Sequence, residues 1–321
     1  MSFKIKAVAK SIPKKVVTND DLTKLMDTSD EWIQKRTGIK QRHVVTDERN
    51  TTLAIDVAEK LIAQSRVTIS KINYIIVATM SPEYQMPSTA AMVQGAVGAI
   101  NAIAFDISAA CSGFVYGVSV LNSLLAKQPG GVGIIIGSEQ LSRLIDWSDR
   151  STAVLFGDGA AGILVENDGS DARVLSEDLK TQGADGQCLT AGKYPSQTPF
   201  SKTDGDPFFK MDGHAVYNFA TKQVPISIKK AVQEAGLELD QIDCFVMHQA
   251  NQRIVTRVAK KLDLDLAKFP INIDKYGNTA AASEPILLAE LEQTGKIKRG
   301  DYLALTGFGG GLTVGTVIIK Y

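Results

Sequence analysis

Two hydrophobic rhythms alternate along the chain. Runs such as YIIVAT at 74–79 and GIIIG at 133–137 are apolar at consecutive positions, as in strands covered by helices on both faces. The pattern predicts strands at Lys4–Ala9, Tyr74–Met80, Ile103–Ile107, Val132–Ser138 and Ala153–Glu166. Later strands are predicted at Arg173–Asp178, Cys244–His248, Phe269–Asn272, Tyr302–Thr306 and Leu312–Ile319. Between them, helical or buried helical patterns cover Thr52–Gln64, Ser88–Val97, Ser112–Ala126, Ala215–Ala235, Gln252–Leu262 and Thr279–Thr294. This order predicts a layered α/β architecture.

The rhythm also repeats. An offset of roughly 170 residues aligns YIIVATM with CFVMHQA and GIIIGSE with LALTGFG, and the long strands AVLFGDGAAGILVE and GLTVGTVIIK follow in the same order. Two similar halves, 1–170 and 171–321, are expected, with no long flexible linker between them. The stretch Gln182–Asp206, rich in Gly, Asp, Ser and Thr, is expected to be a surface excursion.

The 321 residues carry 35 Lys plus Arg and 35 Asp plus Glu, a balance that argues against a general nucleic-acid or membrane-surface binder. No apolar run approaches the roughly 18 residues of a membrane span, and the first fifteen residues alternate instead of forming a signal-peptide core. The three cysteines are widely spaced and make neither a disulfide framework nor a metal motif, so a reducing cytoplasm is expected.

Three residues stand where chemistry is expected. Cys111, in ISAACSGF, follows a strand and opens an apolar helix, where partial positive charge favours a thiolate. A lone cysteine there is also compatible with inert core. His248 ends the strand CFVMH before a helix, a position that suits a site at the sheet edge, although core histidines occur on such strands too. Asn278, in YGNTAAAS, either caps the helix after it or, lying 167 residues beyond Cys111, occupies an equivalent turn. GDGAAG at 157–162 matches the dinucleotide fingerprint in letters but runs into the β-like ILVE in place of a helix, which argues against nucleotide binding. Gly307–Gly311 is either a tight turn or a backbone donor for an oxyanion.

Taken jointly, ACSGF, HQANQRI, YGNTAAAS, the terminal GFGGG and DEWIQKRTGI at 30–39 resemble the β-ketoacyl-acyl-carrier-protein synthase III family across essentially the whole chain. The resemblance implies a thiolase-like fold, a duplicated five-layer α-β-α-β-α arrangement working as a homodimer. It implies Cys111 as acyl acceptor, His248 and Asn278 as its partners, and the N–H groups of Cys111 and Gly310 as an oxyanion hole. The implied reaction condenses an acyl-CoA primer with malonyl-acyl carrier protein, through an acyl-cysteine and without a cofactor or metal.

Further positions follow from the same resemblance. Trp32 and Arg36, one helical turn apart, are expected to meet the adenine and phosphates of CoA, with Thr28, Arg150, Gly213, Tyr217, Ala250 and Asn251 lining its path. Met86 and Phe156 are expected at the acyl pocket, Met86 where the family often has an aromatic and where the partner subunit closes the pocket. Arg253, Arg257, Lys260 and Lys261 share one helix face and, with Gln249, Ala250, Asn251 and Gln252, are expected to meet the acidic carrier protein. Other thiolase-fold condensing enzymes, a cysteine hydrolase, a dinucleotide oxidoreductase and a noncatalytic binding module are the rival readings.

Overall fold

The doubly apolar runs become the central strands of two sheets in the computed structural model, which describes residues 2–321. The first sheet comprises β1 (Lys4–Ser11), β2 (Ile72–Ala78), β3 (Ile103–Ile107), β4 (Val132–Glu139) and β5 (Gly159–Glu166), in the order β1-β5-β4-β2-β3. β2 runs parallel to β3 and β4, while β5 is antiparallel to β4 and β1. The second sheet repeats this plan with β6 (Arg173–Thr181), β7 (Cys244–Met247), β8 (Tyr302–Gly309) and β9 (Thr313–Lys320), in the order β7-β8-β9-β6. β7 and β8 are parallel, and β9 is antiparallel to both its neighbours.

The second sheet lacks a counterpart of β3. Phe269–Asn272, expected as a strand, forms no ladder. Pro270 has no N–H to donate to one. Phe269 is nevertheless buried and stacks on Phe245 of β7 with ring centroids 4.4 Å apart, so hydrophobic burial holds the segment beside the sheet.

The described structure also has seven helices of eight residues or more: α1 (Asp30–Thr37), α2 (Asn50–Ser65), α3 (Thr89–Ala96), α4 (Gly113–Leu125), α5 (Gly213–Glu234), α6 (Gln252–Leu262) and α7 (Ser283–Gln293). α4 and α7 lie between the sheets, where Phe114, Val118, Leu287 and Leu288 pack with Ile76, Ile135, Leu305 and Val317. α2 and α3 cover the outer face of the first sheet through Leu53, Val57, Leu61 and Val93. α5 and α6 cover that of the second through Val224, Ile228, Val255 and Val258. Five layers result. The sequence-predicted excursion is indeed largely exposed, built from short ribbons at Ser196–Thr198/Ser201–Thr203 and Leu189–Thr190/Lys210–Met211.

Both central helices begin in the same unusual way. Ala110 and Ala280 have φ of 45° and 43°, a left-handed conformation that costs an L-residue about 1–2 kcal/mol, and each opens a short 3₁₀ turn before its helix. They are 170 residues apart, so Asn278 lies three positions upstream of the true counterpart of Cys111 and not in register with it. Each turn presses on the opposite sheet. A Cβ on Gly137 of β4 would lie 2.0 Å from the Ala281 carbonyl, and one on Gly307 of β8 2.8 Å from Ser112 Cα. Only glycine permits these approaches.

Candidate active site

Cys111 sits in the strained turn ahead of α4, as its sequence setting suggests, but its thiol is not ionised at rest. Burial raises the thiol above its usual range, and the nearby Glu284 and Glu139 carboxyls act in the same direction. The backbone N–H groups of Cys111 and Gly310 oppose this, because both point toward the sulfur and favour its anionic form. Gly309 is held against the same side chain, where a Cβ would stand 3.0 Å from Sγ. The other two cysteines differ: Cys244 is buried on β7, its thiol pushed up to about 12 by burial, and Cys188 lies in a half-exposed turn. Neither lines the cavity described next.

A cavity of about 1780 Å³ brings Cys111, His248 and Asn278 together with Phe308, Gly309 and Gly310. His248 follows β7, and its backbone N–H donates to the Thr306 carbonyl at 2.8 Å, which ties it to the end of β8. Its ring is 1% exposed and meets Phe308 edge-on at 5.1 Å, and Nδ1 has no partner. Burial pulls its pKa down to about 3, so the imidazole is neutral and carries one N–H donor. Asn278 uses its side-chain oxygen to accept the Ala280 N–H at 2.9 Å, which leaves the NH₂ group free to donate into the cavity. Its backbone is clamped by Leu155 and Gly157, at 2.8 and 2.9 Å.

Phe156, between those clamps, lines the cavity and stacks on Phe209 at 4.2 Å, and Leu144, Leu155 and Leu189 continue the apolar wall. Met86 does not line this chain's own cavity. It is 86% exposed on a surface loop. Gly213, Tyr217, Ala250 and Asn251 also line the cavity. Thr28, Trp32, Arg36 and Arg150 lie outside the wall, but the Asn251 amide donates to the Arg36 carbonyl at 3.1 Å and so fixes α1 at the rim. There the Arg150 and Arg36 guanidinium carbons stand 4.6 and 5.7 Å from the Trp32 ring centre.

The basic face of α6 forms as its spacing predicts. Ile254, Val255, Val258 and Leu262 turn inward, while Gln252, Arg253, Arg257, Lys260 and Lys261 are exposed. Arg253 donates to the Lys35 carbonyl at 2.6 Å and Lys261 to that of Thr221 at 2.9 Å. Gln249 corrects the expectation for this surface. It is 1% exposed, and its side chain is spent on the Met247 carbonyl and the Asn272 N–H, so the accessible face starts at Ala250.

Three buried ionisable residues at the site escaped sequence reasoning. Glu139 ends β4 with its carboxylate accepting from Ser81, Thr79 and the Met80 N–H, and burial lifts it to about 8. Glu284 opens α7 with neither carboxyl oxygen partnered. Arg42, fully buried, donates to Val17, Asn19 and Val154, and its Cβ packs where Gly157 and Gly277 leave room beside Asn278. Their only advance signal was a charged residue inside an otherwise apolar run, as in GIIIGSE and SEPILL.

A duplicated five-layer fold with a cysteine, a neutral histidine and an asparagine amide at the ends of its inner elements is thiolase-like. Residues 105–183 match the family model described as 3-oxoacyl-[acyl-carrier-protein] synthase III, and residues 232–321 match the model for its C-terminal part. The chain is 58% identical to a β-ketoacyl-[acyl-carrier-protein] synthase III of Lactobacillus helveticus, over 99% of this chain and 98% of that protein. It is 51% identical to the one from Levilactobacillus brevis, over 100% and 99%. The crystal structure of 3-oxoacyl-[acyl-carrier-protein] synthase III from Aquifex aeolicus superposes with a TM-score of 0.94 at 38% identity, covering 100% of both chains. The chain belongs to the β-ketoacyl-acyl-carrier-protein synthase III family, condensing acyltransferases that initiate fatty-acid synthesis. Among the described residues no helix is long and apolar enough to cross a membrane, and no group of three or more His, Cys, Asp or Glu could hold a metal ion.

Proposed function

We propose that the cavity carries out a two-step condensation in which Cys111 accepts an acyl group from an acyl-CoA primer and passes it to a carbon derived from malonyl-acyl carrier protein. The observation that carries this reading is one cavity lined by a thiol under two backbone donors, a neutral imidazole and a free carboxamide NH₂. In the first step the Cys111 sulfur attacks the thioester carbonyl. The tetrahedral oxyanion is held by the N–H groups of Cys111 and Gly310, and the sulfur–carbon bond to CoA breaks. The thiol proton leaves with CoA, so the step is neutral overall. Each oxyanion donor contributes about 3 kcal/mol.

In the second step the malonyl C–C bond breaks and carbon dioxide departs. The electron pair it leaves makes an enolate whose oxygen accepts from His248 and Asn278. The enolate carbon attacks the acyl-Cys111 carbonyl, the Cys111 C–S bond breaks as the 3-oxoacyl carrier protein forms, and the released thiolate takes up one proton from solvent. A neutral histidine suits this role because it donates without bringing a proton that would quench the carbanion. No cofactor enters this scheme.

The remaining assignments share this reading. The adenine of CoA is placed against Trp32 beside Arg36 and Arg150, with Thr28 near its path and the pantetheine passing Gly213, Tyr217, Ala250 and Asn251. The primer, acetyl or a short branched acyl group, ends near Phe156. The exposed face of α6, from Ala250 through Lys261, receives the carrier protein. The halves 1–170 and 171–321 each supply one sheet, the first the nucleophile and the second His248 and Asn278. Two copies pair along β3, whose outer edge is unpaired and whose Ile103 is 61% exposed, Met86 and Tyr84 being exposed as well. Met86 then reaches the partner's acyl pocket. Three free cysteines suit the cytoplasm.

The test is a condensation assay with purified acyl carrier protein. Acyl-CoA and malonyl-acyl carrier protein together should give 3-oxoacyl carrier protein and carbon dioxide in equal amounts. Release of free fatty acid without C–C bond formation would assign the site to hydrolysis instead.

A further inference from the structure

Glu284 has no task in the scheme above, yet it lies beside the nucleophile. It is 0% exposed, and both carboxyl oxygens lack a hydrogen-bond partner. Gly307 of β8 faces it: a Cβ there would stand 2.7 Å from Glu284 Oε1 and 2.8 Å from Ser112 Cα. The carboxyl and the nucleophile's turn therefore share the space that Gly307 leaves open. Glu139, the other buried carboxyl near Cys111, has three donors to it from Thr79, Met80 and Ser81. Glu284 is opposed in its burial only by a backbone N–H of its own, so it is held as a neutral acid.

We propose that Glu284 is a positioning residue for Cys111: as a neutral acid it fills the space between Gly307 and the nucleophile's turn, and once ionised it places an uncompensated negative charge behind the sulfur and withdraws it from reaction. This rests on reading Cys111 as the acyl acceptor. Among the described residues the surroundings offer no cation to mute such a charge. On β1, Lys4, Lys6 and Lys10 pair with Asp168, Glu166 and Glu290, and that last carboxylate also holds Lys275 toward the other end of α7. On β5 the titratable group is the same Glu166. Cys244 of β7 and Tyr302 of β8 stand at the strand starts, five residues before Gly307 in the case of Tyr302. At Glu284's own end the ionisable groups are Cys111 on the turn, Glu139 on β4 and neutral His248 after β7, none of them positive.

The test compares wild type with Glu284→Gln, a neutral isostere, and Glu284→Leu, an apolar side chain of similar volume. Full-length protein is treated with iodoacetamide between pH 6 and 10, and modification of Cys111 is followed by peptide mass spectrometry. Only the thiolate is alkylated, so the rate reports ionisation of the sulfur. At pH 6.5 the three rates should agree within about twofold, and on the alkaline side both variants should react roughly tenfold faster, the effect of one pKa unit. Superimposed profiles would overturn the proposal, as would variants that are slower at every pH, since packing alone would then be at stake. Failure of both variants to fold would also overturn it. No acyl-CoA is used, so a negative result leaves the acyl-acceptor role standing. Coupling without acylation by any acyl-CoA would count against that role and not against Glu284.

Discussion

Replacing Glu284 with glutamine should stabilise the protein at neutral pH. A buried carboxyl whose folded pKa lies well above its unfolded value near 4.5 binds more protons folded than unfolded as pH rises between the two. Because its folded pKa is raised, its contribution to stability is fully present below pH 4.5 and is lost as pH rises toward the folded value. The loss grows by up to about 1.4 kcal/mol for each pH unit above 4.5 over which the folded carboxyl keeps its proton. Glutamine keeps the shape and the unpartnered polar atoms but not the titration, so nearly all of that loss should be recovered. For a chain of this length each such unit corresponds to roughly 2 °C in Tm. Denaturant melts of wild type and Glu284→Gln at equal protomer concentration, at pH 5 and pH 7.5, would measure it, with a gap that widens as pH rises. A variant less stable than wild type at pH 7.5, or a gap independent of pH, would show that Glu284 is ionised and compensated, and would refute the reasoning.

Three other outcomes are expected. His248→Ala and Asn278→Ala should each slow malonyl decarboxylation by about 10²–10³ while acylation of Cys111 falls much less, because the proposed scheme aims both donors at the enolate; separate single-turnover assays of the half-reactions distinguish this from general loss. With His248 held near 3, the decarboxylation rate should be flat from pH 6 to 8, and an acid limb with a midpoint near 6.5 would contradict the buried neutral imidazole. Arg253→Glu should weaken malonyl-acyl carrier protein by roughly tenfold, less at high salt, and barely affect acylation by the small acyl-CoA; equal losses for both substrates would reject α6 as the docking face.

Periodicity carried most strands and helices of both halves, because a strand apolar on both faces is hard to mistake when helices flank it. The strand expected from Ala153, however, begins only at Gly159, after the short helix Arg150–Ala153. Periodicity also failed at Phe269–Asn272, where the hydrophobic letters are those of a strand but Pro270 removes a ladder donor. The repeat was visible in the letters, because YIIVATM and CFVMHQA start 170 residues apart, as do Ala110 and Ala280 with their positive φ. The pairing of Asn278 with Cys111, 167 apart, was out of register with it. Cys111, His248 and Asn278 could be proposed because each stands at an element's end beside small residues. Glu284, Glu139 and Arg42 could not, since their importance lies in being buried, and burial at a layer junction is a property of the assembled halves. Gln249 shows the reverse error: a polar residue next to an exposed basic helix reads as surface, but its amide is consumed in holding the Pro270–Asn272 segment.

The central claim, that Cys111 is the acyl acceptor, is tested most directly by mass spectrometry of the intact protein after incubation with an acyl-CoA mixture. One acyl group per chain should appear, map to Cys111, and disappear when malonyl-acyl carrier protein is added, with an equal amount of 3-oxoacyl carrier protein formed. Cys188→Ser and Cys244→Ser should still be acylated. A stoichiometric adduct that persists in folded Cys111→Ser, or one that maps to another residue, would contradict the account.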